Sequence, residues 1–264
     1  MDSGGDIVKV AGIPARAAGL ARRFGAAILD QLYPPVCLHC ETAIAEADAL
    51  CAKCFAQLRP ITAPLCPRLG IPFEVALGPD AISAEAIADP PPFDRARSAV
   101  AYNDIARNLI GRLKYGDRPE LARFCARLMA AAGHEFWEAG PVLVPVPLHR
   151  FRQFERRYNQ STELARCIAR ITGLKVDPVL VDRVKRTKQQ VSLSAEQRQR
   201  NVAGAFAARS DALGRLNGRR VVIVDDVITT GSTVKAVTKA LRKAGVAQID
   251  VISFARVVIG QGLS

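Results

Sequence analysis

Several features that define common protein classes are missing from this sequence. No apolar run approaches the roughly 18 residues that a membrane-spanning helix needs, so we expect no integral membrane segment. The first residues contain no apolar segment followed by a cleavage site, so we expect no secretion and a cytoplasmic location. No G-x-x-x-x-G-K-S/T motif occurs, which argues against a P-loop NTPase, and we find no internal repeat. An apolar fraction of 49% over 264 residues excludes global disorder and allows one large or two small domains.

Acidic residues are scarce relative to basic ones. The chain has 37 Lys and Arg against 25 Asp and Glu, a net charge of +12. The excess is concentrated between His149 and Arg200, where Lys and Arg greatly outnumber Asp and Glu. Such an excess suggests an anionic partner, whether a phosphate compound, nucleic acid or a membrane surface, although a solvated basic surface has the same composition.

The seven cysteines are unevenly distributed. Four of them form the pattern C-x2-C-x10-C-x2-C: Cys37, Cys40, Cys51 and Cys54. Two such knuckles can aim four thiolates at one tetrahedral zinc ion and leave no open position for catalysis. We therefore predict a structural Zn²⁺ site, with a reduced or redox-active role as the alternative. Cys125 and Cys167 stand alone and are predicted to be small buried residues in helices.

Strand and helix patterns alternate from about Phe93 onward. The predicted strands are Ala96–Tyr102, Val142–Val146, Arg220–Val224 and Ile249–Phe254, with a short one at Phe206. The predicted helices are Asn103–Tyr115, Pro119–Ala132, Ser161–Ile171 and Ser232–Lys243, with another opened by Ser194. This β-α-β order predicts an α/β fold in which helices flank a parallel sheet.

The N-terminal third is predicted to hold three further segments. Residues 1–36 contain an amphipathic helix over 15–32, which packs against its own protein or lies on an anionic membrane. Residues 37–69 form the zinc-ribbon module, and the Pro-rich residues 70–92 form a connector. The α/β domain then comprises residues 93–264.

The segment Val221–Thr233, with the sequence VVIVDDVITTGST, carries the most specific chemistry. Its strand delivers the carboxylates of Asp225 and Asp226 to the sheet edge where open α/β sheets bind ligands. The turn that follows leads directly into a helix, and Gly231 lets the backbone N–H groups point inward as an anion nest. Carboxylates beside a phosphate suit sugar hydroxyls or Mg²⁺. We therefore predict a phosphomonoester site formed by Thr229, Thr230, Gly231, Ser232 and Thr233.

This segment resembles the phosphoribosyl pyrophosphate (PRPP) motif of type I phosphoribosyltransferases. The resemblance implies that the turn holds the ribose 5-phosphate of PRPP. It also implies that Asp225 and Asp226 are the catalytic pair and contact the ribose 2- and 3-hydroxyls. Members that act on 6-oxopurines carry an acidic residue at the first turn position, where this chain has Thr229, so that substrate class is not expected.

The basic loops are the predicted pyrophosphate site. Pyrophosphate carries several negative charges and needs several cations and Mg²⁺ around it. We expect these contacts from His149, Arg150, Arg152, Arg186 and Lys188. For His149, ordinary loop packing is an equal alternative.

The order of short motifs along the chain narrows the family. LKYGD (Leu113–Asp117), VPVPLHRFR (Val144–Arg152), RRYNQS (Arg156–Ser161) and the PRPP motif follow the order seen in ComF-type competence proteins. The resemblance implies a type I phosphoribosyltransferase fold behind a zinc ribbon, and a part in DNA uptake. ComF-type proteins often have a further C-x-x-C. This chain keeps Cys66 but has Leu69 where the second cysteine would fall, so no second complete zinc site is expected. The alternative is that Cys66 replaces one of the four predicted ligands.

Three functions stay open. The first is transfer of the phosphoribosyl group of PRPP, with Mg²⁺, to an acceptor that the sequence does not identify. The second is PRPP sensing without turnover. The third is binding of single-stranded DNA, with competence-machinery proteins as further partners, because Phe151, Phe154 and Tyr158 alternate with arginines. The charge lies in loops beside the predicted PRPP pocket, which favours PRPP.

Overall fold

A computed structural model of the chain describes residues 34–78, 81–115, 118–148, 159–185 and 195–258. The chain divides into two compact units, residues 1–51 and 52–264. The predicted amphipathic helix lies outside the described residues, as do the basic stretches 149–158 and 186–194. The division of the chain into four segments drawn from the sequence stays a prediction.

The second unit is built on a parallel β-sheet. Its strands are β1 (Arg95–Ala101), β2 (Val142–Pro145), β3 (Lys175–Val176), β6 (Val221–Ile228) and β7 (Ile249–Arg256). They lie in the order β1-β7-β6-β2-β3, and every neighbouring pair is parallel. A separate antiparallel pair joins β4 (Val181–Arg183) and β5 (Phe206–Ala208). The predicted parallel sheet is confirmed, and β6 lies at its centre.

Strand β6 is longer than the sequence predicts. The expected end at Val224 is wrong, because β6 continues through the acidic pair to Ile228. Asp225 lies opposite Ser253 of β7, and Ile228 lies opposite Arg256. Backbone pairing with the long neighbour β7 therefore extends the strand over two carboxylates that by themselves disfavour it.

The described helices are α1 (Ala52–Gln57), α2 (Ala84–Ala88), α3 (Asp104–Tyr115), α4 (Pro119–Ala132), α5 (His134–Trp137), α6 (Gln160–Thr172), α7 (Ala195–Val202), α8 (Ala212–Leu216) and α9 (Ser232–Lys243). Helix α3 begins after Asn103, whose Oδ1 accepts a hydrogen bond from the N–H of Ala106, as the predicted cap requires. None of the described helices is both long and apolar enough to cross a membrane.

The apolar core lies between the sheet and the helices that pack against it. Helix α6 packs on β2 and β6, and α9 packs against β5, α7 and β6. Cys125 of α4 and Cys167 of α6 are buried, which confirms their predicted role as small core residues. Burial raises the pKa of both thiols.

The predicted connector 70–92 contains packed structure. Helix α2 lies within it, and Ala86 of that helix is buried in the same apolar cluster as Phe93 and Ala96. Cys66 and Leu69, just before it, belong to this cluster too. Cys66, Leu69, Ala86 and Phe93 thus belong to the core of the second unit.

Candidate functional site

The turn Thr229–Thr233 joins β6 to α9 at the carboxyl edge of the sheet. Gly231 is the residue before the helix and has a φ of 73°, the left-handed conformation that glycine adopts at little cost. The hydroxyls of Thr230 and Ser232 lie 2.7 Å apart, and the N–H of Ser232 is directed at Thr230 Oγ1. Hydroxyl and N–H donors therefore converge at the positive end of a 12-residue helix, an arrangement that suits a phosphate group.

The acidic pair lies two residues before this turn. Asp225 is 8% exposed and Asp226 is 6% exposed, at the end of the sheet's central strand. Oδ1 of Asp225 accepts hydrogen bonds from the N–H of Asp226 at 2.9 Å and from Ser161 Oγ at 3.2 Å. Oδ1 of Asp226 accepts one from the N–H of Val227 at 2.9 Å. Each carboxylate thus has one oxygen held in place by the backbone.

The second oxygen of Asp226 faces a cation. Oδ2 has no hydrogen-bond partner among the described residues, but Lys114 Nζ lies 3.0 Å away as an ion pair. Lys114 comes from the end of α3. A buried carboxylate oxygen without a hydrogen bond can accept one from a sugar hydroxyl or coordinate a hard cation, so the donor chemistry fits Mg²⁺.

Burial and the neighbouring carboxylate change the acidity of Asp225. Desolvation raises its pKa well above the ordinary range for Asp, and the negative charge of Asp226 adds to the rise. The Asp226 N–H, Lys114 and Ser161 oppose the rise. Asp225 therefore holds a proton more readily than an exposed aspartate does.

Asn159 holds Ser161 in position to donate its hydrogen bond to Asp225. Asn159 donates from Nδ2 to the carbonyl oxygen of Val146, which follows β2, at 3.0 Å. Its Oδ1 accepts from the N–H of Ser161 at 3.0 Å and so caps helix α6. The first turn of α6 is thereby fixed to the neighbouring strand, with Ser161 directed at the acidic pair.

The four predicted zinc ligands also come together. The Sγ atoms of Cys37, Cys40, Cys51 and Cys54 all lie within 4.8 Å of one another, and those of Cys40 and Cys51 are 3.7 Å apart. Tetrahedral Zn–S bonds of about 2.3 Å place two sulfurs about 3.8 Å apart, so the group fits Zn²⁺. The N–H of Cys51 donates to Cys37 Sγ at 3.2 Å, as expected for a site that stabilises thiolates.

Family models and relatives agree with both sites. The model of the double zinc ribbon domain matches residues 28–86, and that of the phosphoribosyl transferase domain matches residues 160–262. Competence protein F of Haemophilus influenzae is 32% identical, over 83% of this chain and 96% of that protein. This chain belongs to the ComF family.

Two further relatives of this ComF chain have similar coverage. The DNA utilization protein YhgH of Salmonella typhimurium is 32% identical, over 83% of this chain and 95% of that protein. Competence protein ComFC of Bacillus subtilis is 25% identical, over 81% and 91%. A solved structure of the allosteric regulatory enzyme of purine biosynthesis matches with a TM-score of 0.36 and 22% identity, over 54% of this chain and 29% of that one. That likeness is too low to carry an argument.

The ComF fold predicted from the sequence is confirmed. It consists of a phosphoribosyltransferase domain with a parallel sheet and an N-terminal zinc ribbon whose four cysteines support a structural Zn²⁺. Among the described residues, no other group of three His, Cys, Asp or Glu side chains lies close enough to hold an ion, so Cys66 belongs to none.

The pyrophosphate residues predicted for this ComF chain lie outside the described residues: His149, Arg150, Arg152, Arg186 and Lys188. The assignments of Asp225, Asp226 and the turn Thr229–Thr233 stay proposals. From the sequence alone, Lys114, Asn159 and Ser161 are not assigned to the site. Lys114 lies in the LKYGD motif, and Asn159 and Ser161 lie in the RRYNQS motif. The resemblance of these two motifs to those of ComF-type proteins was the signal that could have identified the three residues.

Proposed function

We propose that this ComF chain binds PRPP with Mg²⁺ in the cytoplasm and transfers or recognises its phosphoribosyl group during DNA uptake. The observation that supports the proposal is that two features follow each other closely along the chain from β6 into α9. A donor-rich turn at a helix N-terminus begins two residues after a pair of buried, adjacent carboxylates. A phosphorylated sugar with free hydroxyls complements both features at once.

The turn supplies the affinity for the 5-phosphate. Gly231, in its left-handed conformation, orients the first N–H groups of α9 outward from the helix end. The hydroxyls of Thr230 and Ser232, already 2.7 Å apart, add donors that can rotate toward phosphate oxygens.

The acidic pair faces the sugar. Asp225 and Asp226 accept hydrogen bonds from the ribose 2- and 3-hydroxyls. In the described part of the chain, Asp226 Oδ2 has an ion pair with Lys114 but no hydrogen bond to exchange for one from the sugar. Mg²⁺, when bound, neutralises pyrophosphate and makes it a better leaving group. Lys114 holds Asp226 until ligand arrives and neutralises part of the pair's charge.

Transfer requires a nucleophile whose chemical class is a nitrogen base or amine. The bond between ribose C1 and the pyrophosphate oxygen breaks, and pyrophosphate leaves with the electron pair. The acceptor nitrogen forms the new bond to C1 and releases its proton to solvent. Positive charge develops on the ribose ring, and the two carboxylates stabilise it while the turn holds the sugar in line.

The link to DNA uptake comes from the relatives. Competence protein F and the DNA utilization protein YhgH both cover most of this chain. We propose that the phosphoribosyl site of this chain serves the same process.

Calorimetric titration of the full chain with PRPP and Mg²⁺ tests the proposal. We expect one site in the wild type and, for Asp225→Asn with Asp226→Asn, affinity weaker by roughly tenfold or more, about 1.4 kcal/mol. The charge-matched control is Asp104→Asn with Asp211→Asn, because both aspartates are in exposed surface ion pairs. No PRPP binding by the wild type, or binding that survives in the acidic-pair variant, contradicts the proposal. Pyrophosphate release with nucleobases and amines then separates transfer from recognition.

A second candidate function is binding of single-stranded DNA. A cavity of about 670 Å³ lies beside α9, and Lys235, Lys239 and Lys243 line it. These lysines are four residues apart, so they form a row on one helix face at intervals of about 6 Å. Thr230 and Ser232 of the phosphate turn line the same cavity. Such a row suits a chain of phosphodiesters.

Fluorescence anisotropy with an oligothymidine tests this second function. Lys239→Ala with Lys243→Ala should weaken binding and flatten its salt dependence, because both lysines are exposed. Arg107→Ala with Lys175→Ala removes the same charge from exposed positions elsewhere and should have no effect. Equal effects of the two variants would exclude the lysine row as a DNA site.

A further inference from the structure

The backbone of the zinc knuckle occurs twice in this chain. Residues 35–44 contain three backbone hydrogen bonds, each from an N–H to a carbonyl oxygen. They run from Cys37 to Thr42, from Glu41 to Cys37 and from Ile44 to Pro35. In residues 64–73, the N–H of Cys66 donates to Ile71, that of Gly70 to Cys66, and that of Phe73 to Pro64. Each hydrogen bond in the second set joins the same relative positions as one in the first.

The shared geometry extends beyond these hydrogen bonds. An isolated antiparallel bridge joins Val36 to Ala43, and its counterpart joins Leu65 to Pro72. The residue that closes each knuckle has a positive φ, 62° at Glu41 and 64° at Gly70. The prediction that the chain has no internal repeat is therefore wrong at the level of backbone structure.

The second half of the ribbon is repeated as well. The N–H of Cys51 donates to Cys37 Sγ at 3.2 Å, and Cys51 directly precedes helix α1. The N–H of Ser83 donates to Cys66 Sγ at 3.4 Å, and Ser83 directly precedes helix α2. The four ligand positions of the first ribbon thus have four counterparts: Cys66, Leu69, Ser83 and Ala86.

Only one of these four counterparts is of a residue type that binds zinc. Leu69 and Ala86 have no donor atom, and a neutral serine hydroxyl is not among the usual ligands of structural zinc. All four side chains are buried, and three of them belong to the main apolar cluster of the second unit. The residues present at this position do not fit a metal ion.

Two arginines of the sheet hold the second knuckle where a metal would otherwise stabilise it. Arg256 of β7 donates from Nη1 to the carbonyl oxygen of Leu69 at 3.0 Å, and Arg97 of β1 donates to that of Pro67 at 3.1 Å. Both arginines are buried. A Cβ at Gly70 would collide with the carbonyl oxygen of Ala96, so the knuckle is in direct contact with β1.

We infer that the second ribbon, formed by residues 64–73 and 83–88, binds no zinc and is held by apolar packing and by Arg97 and Arg256. This chain then carries one zinc ion where a double zinc ribbon has positions for two. The second ribbon is a metal-independent part of the second unit, and Cys66 remains as an acceptor for the N–H groups of Leu69 and Ser83.

Zinc content of the purified full chain, measured by mass spectrometry of the metal, tests the inference. We expect about one zinc per chain in the wild type and in Cys66→Ser. Two zinc ions in the wild type overturn the inference. Loss of zinc in Cys66→Ser overturns it too, because Cys66 would then be a ligand.

A restored site gives an independent test. Leu69→Cys, Ser83→Cys and Ala86→Cys, combined in one variant, should bind about two zinc ions because the backbone of the second knuckle already has the required form. Thermal unfolding and circular dichroism establish that the variant is folded. If the folded variant binds only one zinc ion, the two ribbons are not equivalent. If the variant does not fold, the zinc contents of the wild type and of Cys66→Ser decide the inference.

Discussion

The ammonium group of Lys114 lies 3.0 Å from Oδ2 of the buried Asp226, although the two residues are far apart in the chain. This ion pair joins the end of α3 to the central strand of the sheet. It places a positive charge beside two carboxylates that would otherwise repel each other.

Removing that charge should destabilise the ligand-free protein. For Lys114→Gln we expect a loss of about 1–3 kcal/mol in the free energy of unfolding, because Asp226 stays buried without its partner. Urea unfolding measures this loss. Arg107→Gln, which breaks an exposed ion pair with Asp104, is the control and should change stability little. A loss for Lys114→Gln that persists in full when Asp226 is already Asn would show that the ion pair is not its cause.

Stability should fall with rising pH because of Asp225. Its pKa in the folded chain lies above its value of about 3.9 in the unfolded chain, so the folded state binds the proton more tightly. The resulting stabilisation is complete below about pH 4 and is lost as the pH rises through the raised pKa. We expect the urea midpoint of the wild type to decline over this range more steeply than that of Asp225→Asn. Parallel pH profiles for the two proteins would contradict the expectation.

Loss of the Ser161 hydroxyl should affect the same carboxylate. In Ser161→Ala the pKa of Asp225 rises further, because a donor to its charged form is removed, and stability falls by about 0.5–1.5 kcal/mol. Titration followed by carboxyl-carbon NMR measures the shift. Thr238→Ala, which removes a buried hydroxyl that donates to the carbonyl oxygen of Val234 within α9, should lower stability similarly without moving the pKa of Asp225. An unchanged pKa in Ser161→Ala would refute the positioning role.

A side chain at the phosphate turn should weaken PRPP binding. Gly231→Ala places a Cβ on a backbone with φ of 73°, at a cost of about 1–2 kcal/mol, and favours a turn whose N–H groups no longer converge. Gly173→Ala is a matched control, because Gly173 has the same φ at the end of α6 and its added Cβ meets no neighbour. Calorimetry should show weaker PRPP binding for Gly231→Ala alone. Equal PRPP affinity in the two variants would mean that the turn does not hold the phosphate.

Local patterns were sufficient to predict the elements around the site. The apolar run before Asp225 indicates a buried strand, and Gly231 followed by Ser232 indicates where α9 begins. Spacing alone indicated the four-cysteine group. Each of these features depends on residues that are close together in the chain, so a single sequence is enough to predict it.

Contacts between distant segments were the part that could not be predicted. The extension of β6 past Val224 depends on pairing with β7, and the pairing of Lys114 with Asp226 depends on how α3 packs. The repeated ribbon was not visible either. Residues 35–44 and 64–73 share only Pro and Cys at their first and third positions, and the likeness lies in backbone hydrogen bonds.

A crystal structure of the full chain with PRPP and Mg²⁺ would show directly whether β6 and α9 form the PRPP site. We expect the 5-phosphate in the turn Thr229–Thr233 and the ribose 2- and 3-hydroxyls within hydrogen-bond distance of Asp225 and Asp226. A phosphate bound elsewhere, or a ribose without contact to either carboxylate, would contradict it.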